Sequence, residues 1–143
     1  MRVKEILFFS IPGSPVGKGR PRFTRTGRSY TPDKTARYEN LIALAFREKF
    51  PNWTPWDGEV EMTMTAYFEI PKSWSKKKQE KARQHKIRPK KTPDLDNISK
   101  MKDALNGIAW KDDAQVVREL NIKEYSEDGP RVEFLLEFGE EEE

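Results

Sequence analysis

Cysteine is absent from the 143 residues. Its absence excludes disulfide staples, thiolate zinc sites and cysteine nucleophiles together. Histidine occurs once, as His85, in a run of lysines and arginines. A lone imidazole in that company argues against a histidine-rich metal centre or a serine–histidine hydrolase, so His85 is expected to be an exposed polar residue. Long membrane-type runs are missing too. Near the N-terminus the apolar stretch Ile6 to Ile11 is interrupted by Ser10. It is too short for a signal-peptide core or a bilayer span, and the expected location is the cytoplasm, with no membrane partner. A chain of this length can bury one core without staples, so 1–143 is read as a single domain.

Charge is what the chain has in quantity. The formal net value is only +3, but its distribution is uneven. Residues 17–37 carry seven basic residues and one acid, Asp33, and residues 72–91 carry ten and one, Glu80. The rest of the chain holds ten basic residues and twenty-two acidic ones. Two cationic segments on an acidic body suit a phosphate backbone. The alternative for either segment alone is solvated charged surface. The candidate phosphate contacts are Lys18, Arg20, Arg22 and Arg25 in the first segment, and Lys76, Lys77, Lys78, Lys90 and Lys91 in the second.

The stretch Pro93 to Gln115 points to chemistry. It opens with Asp94-Leu95-Asp96, runs on in a helix-like pattern and ends in Asp112-Asp113. If the chain turns back after the helix, the two acidic pairs converge. Carboxylates held that close repel unless a cation lies between them. An oxygen-only ligand set suits Mg²⁺ or Mn²⁺ rather than zinc. This predicts a metal-dependent nuclease.

The remaining elements follow from periodicity. Residues 4–12 read as a strand whose nearly continuous apolarity predicts burial on both faces. Residues 13–32, rich in glycine, proline and arginine with Phe23 and Tyr30 interleaved, read as a nucleic-acid arm or a plain flexible connection. The spacing around Lys18-Gly19-Arg20 is not that of a Walker loop. A helix is expected over 33–50, capped by Thr31 or Asp33, with Tyr38, Leu41, Ile42, Ala45 and Phe46 facing the core. Trp53 and Trp56 are expected to pack on the body. Residues 59–70 alternate strictly, with Val60, Met62, Met64, Ala66, Phe68 and Ile70 inward. Ser73 is the expected cap of a polar, mobile helix over about 75–86, anchored by Trp74, Ala82 and Ile87.

The central helix, about 95–107, packs through Leu95, Ile98, Met101 or Lys102, Leu105 and Ile108. Asp96, Lys100 and Asp103 share another face, and Asn106-Gly107 stops the helix. Trp110 seals the return. Residues 116–125 and 131–138 read as the two strands of a hairpin turning at 126–130, and Glu140 to Glu143 as a solvated acidic tail. The fold class expected is α+β in two layers: a mixed sheet of about four strands against helices, with a basic N-terminal loop and a mobile basic helix.

The motifs Pro93-Asp94-Leu95-Asp96-Asn97-x-x-Lys100, Asp103-Ala104-Leu105-Asn106-Gly107 and Trp110-x-Asp112-Asp113-Ala114-Gln115-Val116-Val117 resemble those of the RusA family of Holliday junction resolvases. Gly17-Lys18-Gly19-Arg20-Pro21-Arg22 and Tyr30-Thr31-Pro32 are similar to the Gram-positive, phage and prophage members. The resemblance spans essentially the whole domain. It implies a homodimer that binds branched DNA (four-way junctions) and makes paired nicks with Mg²⁺, Mn²⁺ being a possible substitute. The products would carry 5′-phosphate and 3′-hydroxyl ends. By position in the motif, the catalytic and metal-holding acids would be Asp94, Asp96 and Asp113, and the functional lysine Lys100. Asp112 is adjacent to the third acid, Asp103 is a supporting residue or a ligand, and Asn97 orients a carboxylate or bonds the helix terminus. The competing readings are a non-catalytic nucleic-acid-binding module and a nuclease selective for another branched or single-stranded DNA.

Overall fold

The computed structural model describes residues 1–20, 22–30 and 32–142. Pro21, Thr31 and Glu143 lie outside the described residues, as do the side chains of Arg22 and Tyr30. In chain order the elements are β1 (Arg2–Pro12), a small ribbon of β2 (Arg22–Phe23) and β3 (Ser29–Tyr30), α1 (Asp33–Lys49), β4 (Glu59–Glu69), α2 (Lys76–Arg83) and α3 (Leu95–Ser99). A 3₁₀ helix Lys100–Leu105, a 3₁₀ turn Asp113–Gln115, β5 (Val116–Ser126) and β6 (Arg131–Glu140) complete the chain. The class is α+β, as expected: a four-stranded mixed sheet in the order β1-β6-β4-β5, with helices packed on it. The basic arm is not wholly irregular, since Arg22 pairs with Tyr30 and Phe23 with Ser29.

β4 carries the clearest local code. Val60, Met62, Met64, Ala66 and Phe68 are all buried on one face, and both edges of the strand are paired. β6 supplies Val132, Phe134, Leu136 and Phe138 to the same core, which Tyr38, Ile42 and Phe46 of α1 close from above. Each such side chain contributes about 1.5–3 kcal/mol when fully buried. Trp53 and Trp56 pack on the body as expected. The Trp53 ring lies 4.7 Å from that of Phe138, and the Trp56 indole N–H donates to the Gly139 carbonyl at 3.0 Å.

Several expectations are corrected. β1 is not buried on both faces: Phe9 and Ile11 are inside, while Ile6 is 59% and Phe8 45% exposed. It is an edge strand, and the α1 residues that close the core meet its inner face only. Leu41 on α1 is 40% exposed, at the margin of the stripe that Tyr38, Ile42 and Phe46 bury. The α1 N-cap is Pro32, without a side-chain cap bond, and Asp33 sits in the first turn. The α2 cap is Ser75, whose hydroxyl accepts from the Lys78 amide, rather than Ser73. Of the expected anchors, Ala82 is fully buried, with Trp74 and Ile87 packed against the core. His85 is 51% exposed at its side chain, with Nδ1 2.9 Å from Glu124. The expected acidic tail begins inside β6, where Glu140 pairs with Arg2 and Lys4.

The larger correction is topological. β5 and β6 do not form a hairpin; β4 lies between them, antiparallel to β6 and parallel to β5. Glu127 to Pro130 therefore crosses one strand, a span of two inter-strand spacings, or about 10 Å. Four extended residues reach about 13 Å, so a short loop does not oblige its flanking strands to pair. β4, with one face entirely apolar, takes the central place, and β5, with Val117 58% and Leu120 54% exposed, takes the edge.

The parallel pairing has a consequence for function. Parallel neighbours need a crossover, and residues 70–115 supply it. It carries α2, α3 and both 3₁₀ segments, and delivers Asp113 directly ahead of β5.

Candidate active site

α3 begins after a cis Thr92–Pro93 bond, with Asp94 as its N-cap in extended conformation. The Asp94 carboxylate does not cap the helix. It accepts from the Asn97 side chain at 2.7 Å, so Asn97 orients a carboxylate. Asp96, one residue into the first turn, is 73% exposed and meets the Lys100 ammonium at 3.2 Å. The helix then tightens: from Lys100 to Leu105 it is 3₁₀ rather than α, and Asn106 leaves it in extended conformation. Gly107, at φ +77°, makes the turn that returns the chain to the buried Trp110.

Trp110 is the pivot of the second acidic group. Its indole is fully buried, and Nε1 donates to Asp113 Oδ1 at 2.8 Å. Asp112 points elsewhere, capping the 3₁₀ turn: its carboxylate accepts from the Ala114 amide, and its own amide donates to the Gln115 side chain. Gln115 also ties the turn to the Trp56 and Gly58 carbonyls at 2.6 and 2.9 Å. This capping box, Asp-x-x-Gln, was legible in the sequence and overlooked.

Asp113 is held above the usual carboxylate range. Burial is the largest cause; the Trp110 hydrogen bond opposes it, Asp103 adds repulsion, Lys102 offsets it and Asp112 adds to it. The native state therefore binds this proton more readily than the unfolded chain. Its contribution to stability is full below the unfolded carboxyl pKa and is lost as pH rises through the folded one. Asp113→Asn, whose amide oxygen can still accept from Trp110, is expected to raise the melting temperature at pH 7. The gain should vanish below about pH 4; a gain of the same size at pH 3.5 would count against this account.

The crossover gathers Asp113 with Asp103, and Lys18 donates to Asp103 Oδ2 at 2.8 Å. The charge of Asp94, with that of Lys91, acts on Lys123 of β5. Burial lowers Lys123 below the usual lysine range, Asp94 opposes that shift and Lys91 reinforces it. Among the described residues, no three carboxylate or imidazole side chains gather into a group able to hold an ion. The convergence of both acidic pairs on one cation, expected from sequence, is thus not displayed by these side chains. Their chemistry fits a hard cation: carboxylate oxygens only, with Asp113 crowded by two further acids.

The basic candidates divide. Arg20 and Arg25 on the arm and Lys76, Lys77, Lys78, Lys90 and Lys91 in the second segment are exposed, Lys78 lying over the Trp74 ring at 4.0 Å. Lys18 instead faces inward, its side chain 27% exposed.

A family model described as Endodeoxyribonuclease RusA matches residues 12–137, which include both acidic motifs and the basic arm. The chain is also 40% identical over 138 residues to "Uncharacterized protein YqaN" of Bacillus subtilis (strain 168), covering 92% of this chain and 96% of that protein. With the acidic turn, the Trp110-anchored carboxylate and the match across nearly the whole domain, the chain belongs to the RusA family of Holliday-junction-resolving endodeoxyribonucleases.

Proposed function

We propose that the protein is a cytoplasmic, homodimeric endonuclease that resolves four-way DNA junctions by paired hydrolytic nicks, leaving 5′-phosphate and 3′-hydroxyl ends. The main support is the family match across residues 12–137, together with the presence of Asp94, Asp96, Lys100 and Asp113 at the motif positions. We assign Asp94, Asp96 and Asp113 to a divalent ion, Mg²⁺ or Mn²⁺. When bound, the ion would supply Lewis acidity that makes water a nucleophile near neutral pH.

The chain's own residues do the rest. Lys100, paired with Asp96, would stabilise charge on a phosphate oxygen as it develops. Asn97 orients Asp94, and the Trp110 indole N–H fixes Asp113. Arg20, Arg25, Lys76, Lys77, Lys78, Lys90 and Lys91 would hold the backbones of the arms, a sequence-independent grip that weakens with salt. A two-fold dimer would offer equivalent sites to two strands of a junction that itself has approximate two-fold symmetry.

The test is cleavage of a synthetic four-way junction beside linear duplex and flap substrates, with Mg²⁺ and with chelator. Metal-dependent, paired nicks in the junction alone are expected. Binding without nicking would leave a DNA-gripping module, and preference for the flap would point to another branched-DNA nuclease.

A further inference from the structure

The root of the basic arm is wedged between α1 and the acidic turn. Gly17 sits so close to α3 that a Cβ there would lie 2.9 Å from Pro93 Cβ and 3.1 Å from Asn97 Cβ. The next amide, Lys18 N–H, donates to the Asn97 carbonyl at 2.8 Å. One residue on, the Gly19 amide donates to Thr35 Oγ1 at 2.8 Å, and Thr35 is 2% exposed on α1. Three consecutive residues are thus fixed by backbone contacts, and the Lys18 side chain has little freedom in where it leads. It runs to Asp103 Oδ2 at 2.8 Å and to Glu39 Oε1 at 3.8 Å. Asp103 is in turn one of the charges that act on Asp113.

A lysine that grips DNA presents a free ammonium to solvent. This one is engaged by two carboxylates of its own chain, where the arm meets α1 and the two helical segments that carry Asn97 and Asp103. We propose that Lys18 is a positioning residue rather than a phosphate contact. Through its backbone it holds Asn97, the partner of Asp94; through its side chain it holds Asp103 beside Asp113. It thereby links the start of α3, which carries Asp94 and Asn97, to the 3₁₀ helix that carries Asp103. This rests on the nuclease reading above.

The experiment compares Lys18→Met, Lys18→Arg, Asp103→Asn and the double variant Lys18→Met/Asp103→Asn with the unmodified protein. Junction affinity is measured over a salt series without divalent ion, and the cleavage rate with enzyme saturating over junction in Mg²⁺. Thermal melts accompany both. Lys18→Met is expected to keep the affinity and its salt slope, and to slow saturated cleavage by between about ten- and a hundred-fold, as small misplacements of reacting groups do. The double variant should be no slower than the slower single one, because the pair acts as a unit. Lys18→Arg should recover part of the rate.

A salt slope reduced by about one with saturated cleavage unchanged would identify a phosphate contact and overturn the proposal. So would multiplying effects in the double variant, or rate losses that merely follow the folded fraction. If the unmodified protein binds junctions but cleaves no branched DNA, the nuclease reading fails. In that case an unchanged salt slope with non-additive melting of the Lys18 and Asp103 variants still supports the pairing, and a reduced slope still refutes it.

Discussion

Asp96→Asn is expected to abolish junction cleavage while leaving junction binding intact or tighter. The two halves of that result have separate physical causes. Removing one charged partner from a phosphoryl-transfer site costs a factor of about a hundred to a thousand or more, roughly 3–4 kcal/mol of transition-state stabilisation. Binding, by contrast, loses only a repulsion between a carboxylate and the DNA backbone. Stability cannot explain the loss, because Asp96 is 73% exposed and its recorded ion pair is the helical i, i+4 contact with Lys100. Such a pair is worth only a few tenths of a kcal/mol. The folded protein should therefore melt almost where the unmodified one does. Activity above a tenth of the original would remove Asp96 from the site, and with it the reading of the whole acidic turn.

Trp110 should give the largest effect on the fold. The indole is fully buried, bridges in backbone register to Trp56 and Asn106, and donates to Asp113. Trp110→Ala leaves a cavity and is expected to cost about 3–5 kcal/mol, a large share of a domain's total of about 5–15 kcal/mol. Cleavage lost in that variant would say little about chemistry. Trp110→Phe separates the two roles, since it keeps most of the apolar volume while deleting the N–H with part of the indole ring. It should melt much closer to the unmodified protein while cleaving at least about ten-fold more slowly, because Asp113 loses the donor that fixes it and favours its charged form. Chemical denaturation together with single-turnover kinetics checks both. Full activity in a well-folded Trp110→Phe protein would show that Asp113 needs no such anchor.

Local patterns were legible wherever periodicity alone decides. The alternation of β4 named its five buried residues. Ala82 was found as the buried anchor of α2, although its cap moved from Ser73 to Ser75. The change from α to 3₁₀ in the central segment had a signal too. Leu95, Ile98, Met101 and Ala104 recur every third residue, which is the 3₁₀ period, and all four join the core. Reading the same residues as a continuous helix to 107 missed it. The acidic motif itself stood out by residue type and order, and the capping role of Asp112 could have been read from Gln115.

What the amino-acid order determined by itself was the set of elements, the buried face of most of them, the chemistry of the donor groups and, through its motifs, the family. Tertiary structure alone decided that β4 separates β5 from β6, that Asp103 comes near enough for its charge to act on Asp113, and that the Lys18 side chain runs between α1 and the 3₁₀ helix. The physical reason is range. A period of two or about three and a half residues is written within a dozen positions, whereas strand order and side-chain encounters depend on how a 46-residue crossover, residues 70–115, closes over a sheet assembled from both ends of the chain.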